Sequence, residues 1–204
     1  TEIHLLGDLF DFWFEYNKTV PKGGTRLLGA IAELVDGGLP VHYHVGNHDL
    51  WTFGYLEEEL GVTVHRAPIV RTFDGLTCML GHGDGLGAGD QGYKAIKRVF
   101  QSRVCQKAFS WLHPNLGIGL AHAWSAKSRQ QGEGPWTSYE QEHLVQYCEN
   151  QLETADVFVF GHRHLPIDHT LSDGASRYLN AGDWIKHHTS VAISHGEARL
   201  IHHD

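Results

Sequence analysis

Residues 3–15 read IHLLGDLFDFWFE, and this stretch decides how the rest of the chain is interpreted. The short apolar run Ile3–Leu6 predicts a buried β-strand that stops at Gly7 and Asp8. A second acid, Asp11, follows among four aromatic residues. Because ligands bind at the carboxyl ends of strands in parallel α/β sheets, Asp8 is a candidate functional residue.

Further apolar runs of strand length recur along the chain. They are Val41–Val45, Val62–Val64, Leu76–Leu80, Val157–Phe160 and Val191–Ser194. A helical pattern over residues 27–35 separates the first two strands and stops at a pair of glycines. The order strand, helix, strand predicts parallel pairing and an α/β fold. Two more helices are predicted, over residues 93–112 and 138–152, and strands with tight turns are predicted after residue 166.

The composition is that of a globular protein with one sizeable core. The chain has 204 residues, of which 41% are hydrophobic and 20% are charged. Its net charge of −8 disfavours a general nucleic-acid binder. No apolar run approaches the roughly 20 residues that a membrane span needs. Three cysteines without CxxC spacing favour a reducing compartment.

Four of the predicted strands end in metal-ligand residue types, in the stretches LLGD, HVGNHD, MLGHGD and VFGHRH. Carboxylate, amide and imidazole donors suit divalent ions such as Mn²⁺, Fe²⁺ or Zn²⁺. A single aspartate or histidine after a strand usually has a structural role in a turn or cap. Four such endings in one chain predict a shared metal site. The candidate residues are Asp8, Asn47, His48, Asp49, His82, Asp84, His162 and His164. Most of the 17 histidines are nevertheless expected to be ordinary surface or core residues.

In this order, GD…GNHD…GHGD…GHRH resembles the signature of the calcineurin-like metallophosphoesterases. The resemblance covers nearly the whole chain and implies a four-layer αββα sandwich with a two-metal centre. It implies that Asp8 bridges the two ions, that His164 binds one, and that the other ion has three ligands: Asn47, His82 and His162. Mn²⁺ is the expected metal, with Fe²⁺, Zn²⁺ and Mg²⁺ as alternatives.

The first motif of that family, D-x-H at the end of an earlier strand, is absent from this sequence. We expect it to lie on a segment that precedes Thr1. The alternative is an incomplete metal site, which would favour a non-catalytic binding module that keeps the fold.

The stretches GDLFDFWF and LNAGDWIKHHT resemble the UDP-2,3-diacylglucosamine diphosphatases of lipid A synthesis. The resemblance implies hydrolysis of the substrate's phosphoanhydride to UMP and 2,3-diacylglucosamine 1-phosphate. Those enzymes usually have GNRD where this chain has Gly46–Asp49, so His48 is expected to act beside Asn47 by steadying or protonating the leaving group. Another calcineurin-like phosphodiesterase or phosphatase activity is the alternative. Asp11 and Asp49 are expected either to orient ligands or to cap turns.

A basic island interrupts this acidic chain. Residues 91–132 contain seven Lys and Arg but no Asp or Glu. We expect residues 88–135 to form a helical cap inserted in a single domain that spans residues 1–204. Its charge favours an anionic partner, and its apolar residues favour acyl chains. The resemblance adds an amphiphilic UDP-sugar lipid as substrate, at the cytoplasmic face of an anionic inner membrane. Predicted substrate contacts are Asp90, Tyr93, Lys94, Lys97, Arg98, Lys127 and Arg129. The sequence does not indicate an oligomeric state.

Overall fold

The structure is a computed structural model that describes residues 1–87, 91–131 and 138–203, with side chains omitted for residues 126–131. The chain divides into two compact units. Unit 1 comprises Thr1–Arg66 and Gln91–Gly134, and unit 2 comprises Ala67–Asp90 and Pro135–Asp204. Each unit is built around its own β-sheet.

Unit 1 contains a three-stranded parallel sheet in the order β1-β2-β3. Its first elements are β1 (Ile3–Leu5), α1 (Thr25–Asp36), β2 (Val41–His44), α2 (Tyr55–Leu60) and β3 (Thr63–His65). The predicted parallel pairing of the first two strands is confirmed, with Ile3 opposite Val41. One face of the sheet packs into an apolar core that includes Trp13, Ile31 and Leu56.

Three further helices complete unit 1: α3 (Gln91–Gln101), α4 (Arg103–Ser110) and α5 (Pro114–Gln131). The prediction of one helix over residues 93–112 was therefore wrong. Ser102 separates α3 from α4 because its backbone is extended (φ −66°, ψ 122°), a conformation that serine adopts readily at a helix N-cap. Within the described residues, no helix combines the length and hydropathy that a membrane crossing requires.

Unit 2 contains a five-stranded sheet in the order β4-β5-β6-β8-β7 and a separate hairpin of β9 and β10. The strands are β4 (Ile69–Phe73), β5 (Leu76–Gly81), β6 (Val157–Phe160), β7 (Pro166–Thr170), β8 (Arg177–Ala181), β9 (Thr189–Ser194) and β10 (Glu197–His202). The central strands β5, β6 and β8 are parallel, and the edge strands β4 and β7 are antiparallel to their neighbours. Sequence analysis missed β4, although the Asp74-Gly75 turn before β5 is a hairpin signal.

The helix predicted over residues 138–152 is shorter in the structure and is interrupted. A 3₁₀ turn at Tyr139–Gln141 precedes α6 (His143–Glu149), and a second 3₁₀ turn follows at Leu152–Thr154. The break falls at Glu142, whose backbone is extended (φ −73°, ψ 119°). Helix α6 packs its apolar side chains into the core of unit 2. Helices connect the parallel strands β1, β2 and β3 in unit 1, and α6 lies between the parallel strands β5 and β6 in unit 2. These connections confirm the predicted α/β class.

Candidate metal centre

Asp8 lies at the carboxyl end of β1 in a turn with a left-handed backbone. Gly7 and Asp8 have φ values of 88° and 54°. For a residue with a side chain, this conformation costs roughly 1–2 kcal/mol. The backbone N–H of His48 donates a hydrogen bond of 2.8 Å to Asp8 Oδ1. The GD and GNHD stretches, which follow neighbouring parallel strands, are therefore in contact, and Asn47 in the GNHD stretch is half-buried.

Gly46 provides the space that the Asp8 carboxylate occupies. A Cβ atom at position 46 would lie 2.3 Å from Asp8 Oδ1 and 2.8 Å from the Asp8 backbone nitrogen. Gly46 is not among the residues with positive φ, so space rather than backbone conformation explains the glycine. The absence of a side chain at Gly46 thus lets the candidate ligand approach the GNHD loop closely.

We expect Gly46→Ala to lower the rate of hydrolysis by about 100-fold, the typical effect of displacing a reacting group by about 1 Å. The added methyl group would push Asp8 away from the position that it now holds. The measurement is kcat at saturating metal, together with metal content. Gly29→Ala in α1 is the matched control because its Cβ would meet no atom within 4 Å. Equal activities of the two variants would contradict this explanation.

Asp49 accepts hydrogen bonds from both the GD loop and the GNHD loop. Its side chain is fully buried. Oδ1 accepts a hydrogen bond of 2.6 Å from the Gly46 N–H, and Oδ2 accepts bonds from the Leu9 N–H (3.1 Å) and the Tyr43 hydroxyl (2.5 Å). Burial, followed by the Asp49 charge, raises the pKa of Tyr43 well above its usual value, so the phenol remains a donor. Asp49 therefore positions both loops, and sequence analysis missed its partner Tyr43.

His48 is held between the GD loop and helix α5. Its Nδ1 lies 2.9 Å from the backbone carbonyl oxygen of Asp11 and 3.4 Å from Ser125 Oγ. Because a carbonyl oxygen can only accept, Nδ1 carries a hydrogen and donates it. Nε2 is then the atom at which His48 gains or loses a proton. Asp11 contributes its backbone to this arrangement, and its side chain is exposed.

The aromatic residues after Asp8 connect helices α3 and α4 to these loops. Phe14 packs against Trp51 and Phe109, with ring centroids 5.1 and 4.8 Å apart. Trp51 Nε1 donates a hydrogen bond of 2.7 Å to the backbone carbonyl of Phe100 in α3. Within unit 1, the aromatic stretch that opens the chain therefore joins the candidate ligand loops to α3 and α4.

In unit 2, the candidate histidines follow two adjacent parallel strands. His82 comes after β5, and His162 and His164 come after β6. The rings of His82 and His162 lie with centroids 5.1 Å apart, and the Gly161 N–H donates to the His82 carbonyl at 3.0 Å. The backbones of His162 and His164 are left-handed, with φ values of 62° and 52°. Strained backbone of this kind is concentrated at functional sites.

Asn180 supports the GHRH turn, and sequence analysis did not identify it. This buried residue at the end of β8 donates from Nδ2 to the Gly161 carbonyl, and its Oδ1 accepts from the Gly182 N–H at 3.0 Å. The Asn in LNAGDW, directly after an apolar strand, was the available signal. In the same segment, burial acts to raise the pKa of Asp183, but backbone N–H donors, Lys186 first, lower it to about 2.

The predicted substrate contacts are only partly described. Tyr93, Lys94 and Lys97 are half-buried on α3, whereas Arg98 is exposed. Asp90 and the side chains of Lys127 and Arg129 lie outside the described residues. Helices α3 to α5 and the turn after α4 also expose large apolar side chains: Val99, Val104, Trp111, Leu116, Leu120 and Trp124.

In each unit taken by itself, the candidate residues have side chains of the kind that bind divalent ions. In unit 1, the Asp8 carboxylate lies so close to Gly46 that no larger residue fits there. In unit 2, the imidazoles of His82 and His162 follow adjacent strands. Oxygen and imidazole donors of this kind bind divalent first-row metals. The available donors do not distinguish among those metals.

No protein-family model matches the chain. A UDP-2,3-diacylglucosamine hydrolase from Porphyromonas gingivalis is 36% identical over 222 residues, which cover 98% of this chain and 82% of that protein. A protein of the same name from Aeromonas hydrophila is 28% identical, and the match covers 98% of this chain and 84% of that protein. Among solved structures, a novel archaeal phosphodiesterase is 14% identical with a TM-score of 0.41, covering 86% of this chain and 76% of that one.

The 36% identity over nearly the whole chain confirms the resemblance first indicated by the GDLFDFWF and LNAGDWIKHHT stretches. It covers both units. The chain therefore belongs to the family of UDP-2,3-diacylglucosamine hydrolases.

Proposed function

We propose that this protein hydrolyses the phosphoanhydride of UDP-2,3-diacylglucosamine to UMP and 2,3-diacylglucosamine 1-phosphate. The observation that carries the proposal is the relation over nearly the whole chain to proteins named for this substrate. The joined arrangement of the GD loop, the GNHD loop and the cap helices supports it, because an amphiphilic substrate needs both a reactive centre and an apolar surface.

The proposed metal ligands are Asp8, Asn47, His82, His162 and His164, with Asp8 bridging two ions as the family resemblance implies. Mn²⁺ is the proposed metal. Bound divalent ions would activate water as Lewis acids and neutralise the charge of the phosphate groups. The buried Asp49 clamp and the Asn180 contacts hold the loops that carry these ligands, so the protein orients its donors before a metal arrives.

Hydrolysis breaks one P–O bond of the diphosphate. A water oxygen ends on the attacked phosphorus, and the bridging oxygen leaves with the other phosphate and needs a proton. We assign that proton transfer to Nε2 of His48, because Nδ1 is fixed as a donor to the Asp11 carbonyl. General acids of this type typically contribute 10²- to 10⁴-fold, in order of magnitude, to the rate.

The cap supports an amphiphilic substrate. Trp111 and Val104 are about 80% exposed on helix α4 and at its end, although apolar side chains of this size are usually covered. Phe109 and Phe100 instead attach the helices to Trp51, so only the outer residues are available for acyl chains. The proposed contacts with anionic groups are Asp90, Tyr93, Lys94, Lys97, Arg98, Lys127 and Arg129. The same basic surface is proposed to bring the protein to the cytoplasmic face of the inner membrane.

The test is UMP release from UDP-2,3-diacylglucosamine by the full-length protein in mild detergent, with Mn²⁺ and with EDTA. We expect release that requires Mn²⁺ and that is much slower with a UDP-sugar lacking acyl chains. Activity on a generic phosphodiester alone would favour the phosphodiesterase alternative. A protein that binds metal but hydrolyses neither substrate would favour the binding module.

A further inference from the structure

One face of the three-stranded sheet in unit 1 carries a cluster of histidines that the proposed hydrolysis does not use. The register places His4 opposite His42 and His44 opposite His65. Alternate residues of a strand share a face, so all four side chains lie on the side opposite the apolar core. His42 and His44 are buried. Buried imidazoles in this number require an explanation beyond packing.

Glu2 completes the cluster. Its Oε1 lies 2.7 Å from His4 Nε2 and 3.8 Å from His42 Nε2. One ligand atom from each of Glu2, His4 and His42 lies within 4.8 Å of the other two. A tetrahedral zinc ion at about 2.0–2.1 Å from its ligands holds them roughly 3.3 Å apart, a value between the two measured distances. Small side-chain rotations would therefore place all three donors around one ion.

The second nitrogen of each ligand ring is already held. His4 Nδ1 lies 3.0 Å from His44 Nε2, and His42 Nδ1 lies 3.0 Å from His65 Nε2. Metal-binding histidines nearly always engage their other ring nitrogen in this way, because the contact fixes the ring orientation and the tautomer. His44 and His65 thus stand where supporting partners of a metal site are expected.

We propose that Glu2, His4 and His42 bind a transition-metal ion, best matched by Zn²⁺, at a site separate from the hydrolytic centre. Two imidazoles and one carboxylate form a recognised zinc ligand set and leave a fourth position for water. The short Glu2–His4 contact requires a shared proton in the metal-free protein, and the ion takes the place of that proton. A bound ion would link β1 to β2, the two strands that lead to Asp8 and Asn47.

The first experiment counts zinc ions bound to the metal-free full-length protein, by equilibrium titration and elemental analysis. We expect Glu2→Gln to bind one ion fewer at high affinity, with at least a tenfold weaker constant at the altered site, and to keep its Mn²⁺-dependent hydrolysis. Glu33→Gln is the matched control because it removes the same charge from an exposed position on α1. Equal zinc stoichiometry in Glu2→Gln and the unaltered protein would overturn the proposal.

A second measurement uses the unaltered protein and so does not depend on how the variant folds. Crystals grown with Zn²⁺ should show an anomalous peak at the zinc edge, within bonding distance of Glu2 Oε1 and of Nε2 in His4 and His42. The absence of that peak, in crystals whose hydrolytic centre contains zinc, would also overturn the proposal. This inference does not depend on the substrate, and failure of the hydrolysis assay would leave it standing.

Discussion

Asp8→Ala is expected to lower kcat for UMP release by about three orders of magnitude, because a methyl group cannot replace the carboxylate that is proposed to bridge two ions. The same variant should lose metal affinity, since Asp8 is the carboxylate that the family resemblance assigns to both ions. The Asp8 side chain also accepts the His48 N–H, so its removal loosens the loop that carries Asn47. The measurements are kcat with increasing Mn²⁺ and the number of ions bound.

Asp11→Ala is the matched control for Asp8→Ala. Both acids belong to the GDLFD stretch, but the side chain of Asp11 is exposed, and His48 donates to its backbone carbonyl. We expect its effect to remain within about 0.5 kcal/mol, roughly twofold in rate, as for surface substitutions. If Asp11→Ala abolished activity while Asp8→Ala retained it, the assignment of the bridging carboxylate would be wrong.

The strand endings could be predicted from the sequence because each rests on a local pattern: an apolar run followed by a donor residue. The parallel pairing of β1 and β2 followed from the helix between them, and the structure confirms it. The sequence predicted that Asp49 either orients ligands or caps a turn, but it did not predict the contact with Tyr43, whose hydroxyl is turned toward the loop. Periodicity alone also failed at Ser102, where the apolar spacing continues although the backbone does not.

The histidine cluster shows the same limit at longer range. His4, His42 and His65 belong to three strands, and only the register brings them to one face of the sheet. The sequence shows a high histidine count, but it does not show which histidines meet. The contact between Asn180 and Gly161 could not be predicted for the same reason, because the two residues lie 19 positions apart in the chain. Local patterns thus predicted the ligand loops, whereas the contacts that hold those loops required the three-dimensional structure.

Asp49→Ala is expected to reduce the free energy of unfolding by about 3–5 kcal/mol, because three donors lose their acceptor and each unsatisfied buried donor costs about 1–3 kcal/mol. The donors are the N–H groups of Leu9 and Gly46 and the Tyr43 hydroxyl. Natural domains are stable by only about 5–15 kcal/mol, so this variant should contain a measurable unfolded fraction at 37 °C. Urea unfolding in EDTA measures the effect without any contribution from bound metal.

Tyr43→Phe separates the carboxylate from one of its three partners. This change removes the hydroxyl and leaves Asp49 with its two backbone donors, so we expect a loss of only about 1 kcal/mol. If Asp49 holds both loops, the loss in free energy of unfolding should be small for Tyr43→Phe and large for Asp49→Ala. Equal losses in the two variants would instead mean that the Tyr43 contact carries the whole effect. In that case the backbone of the GNHD loop would hold its shape without the Asp49 carboxylate, and the position of Asp8 would not depend on it.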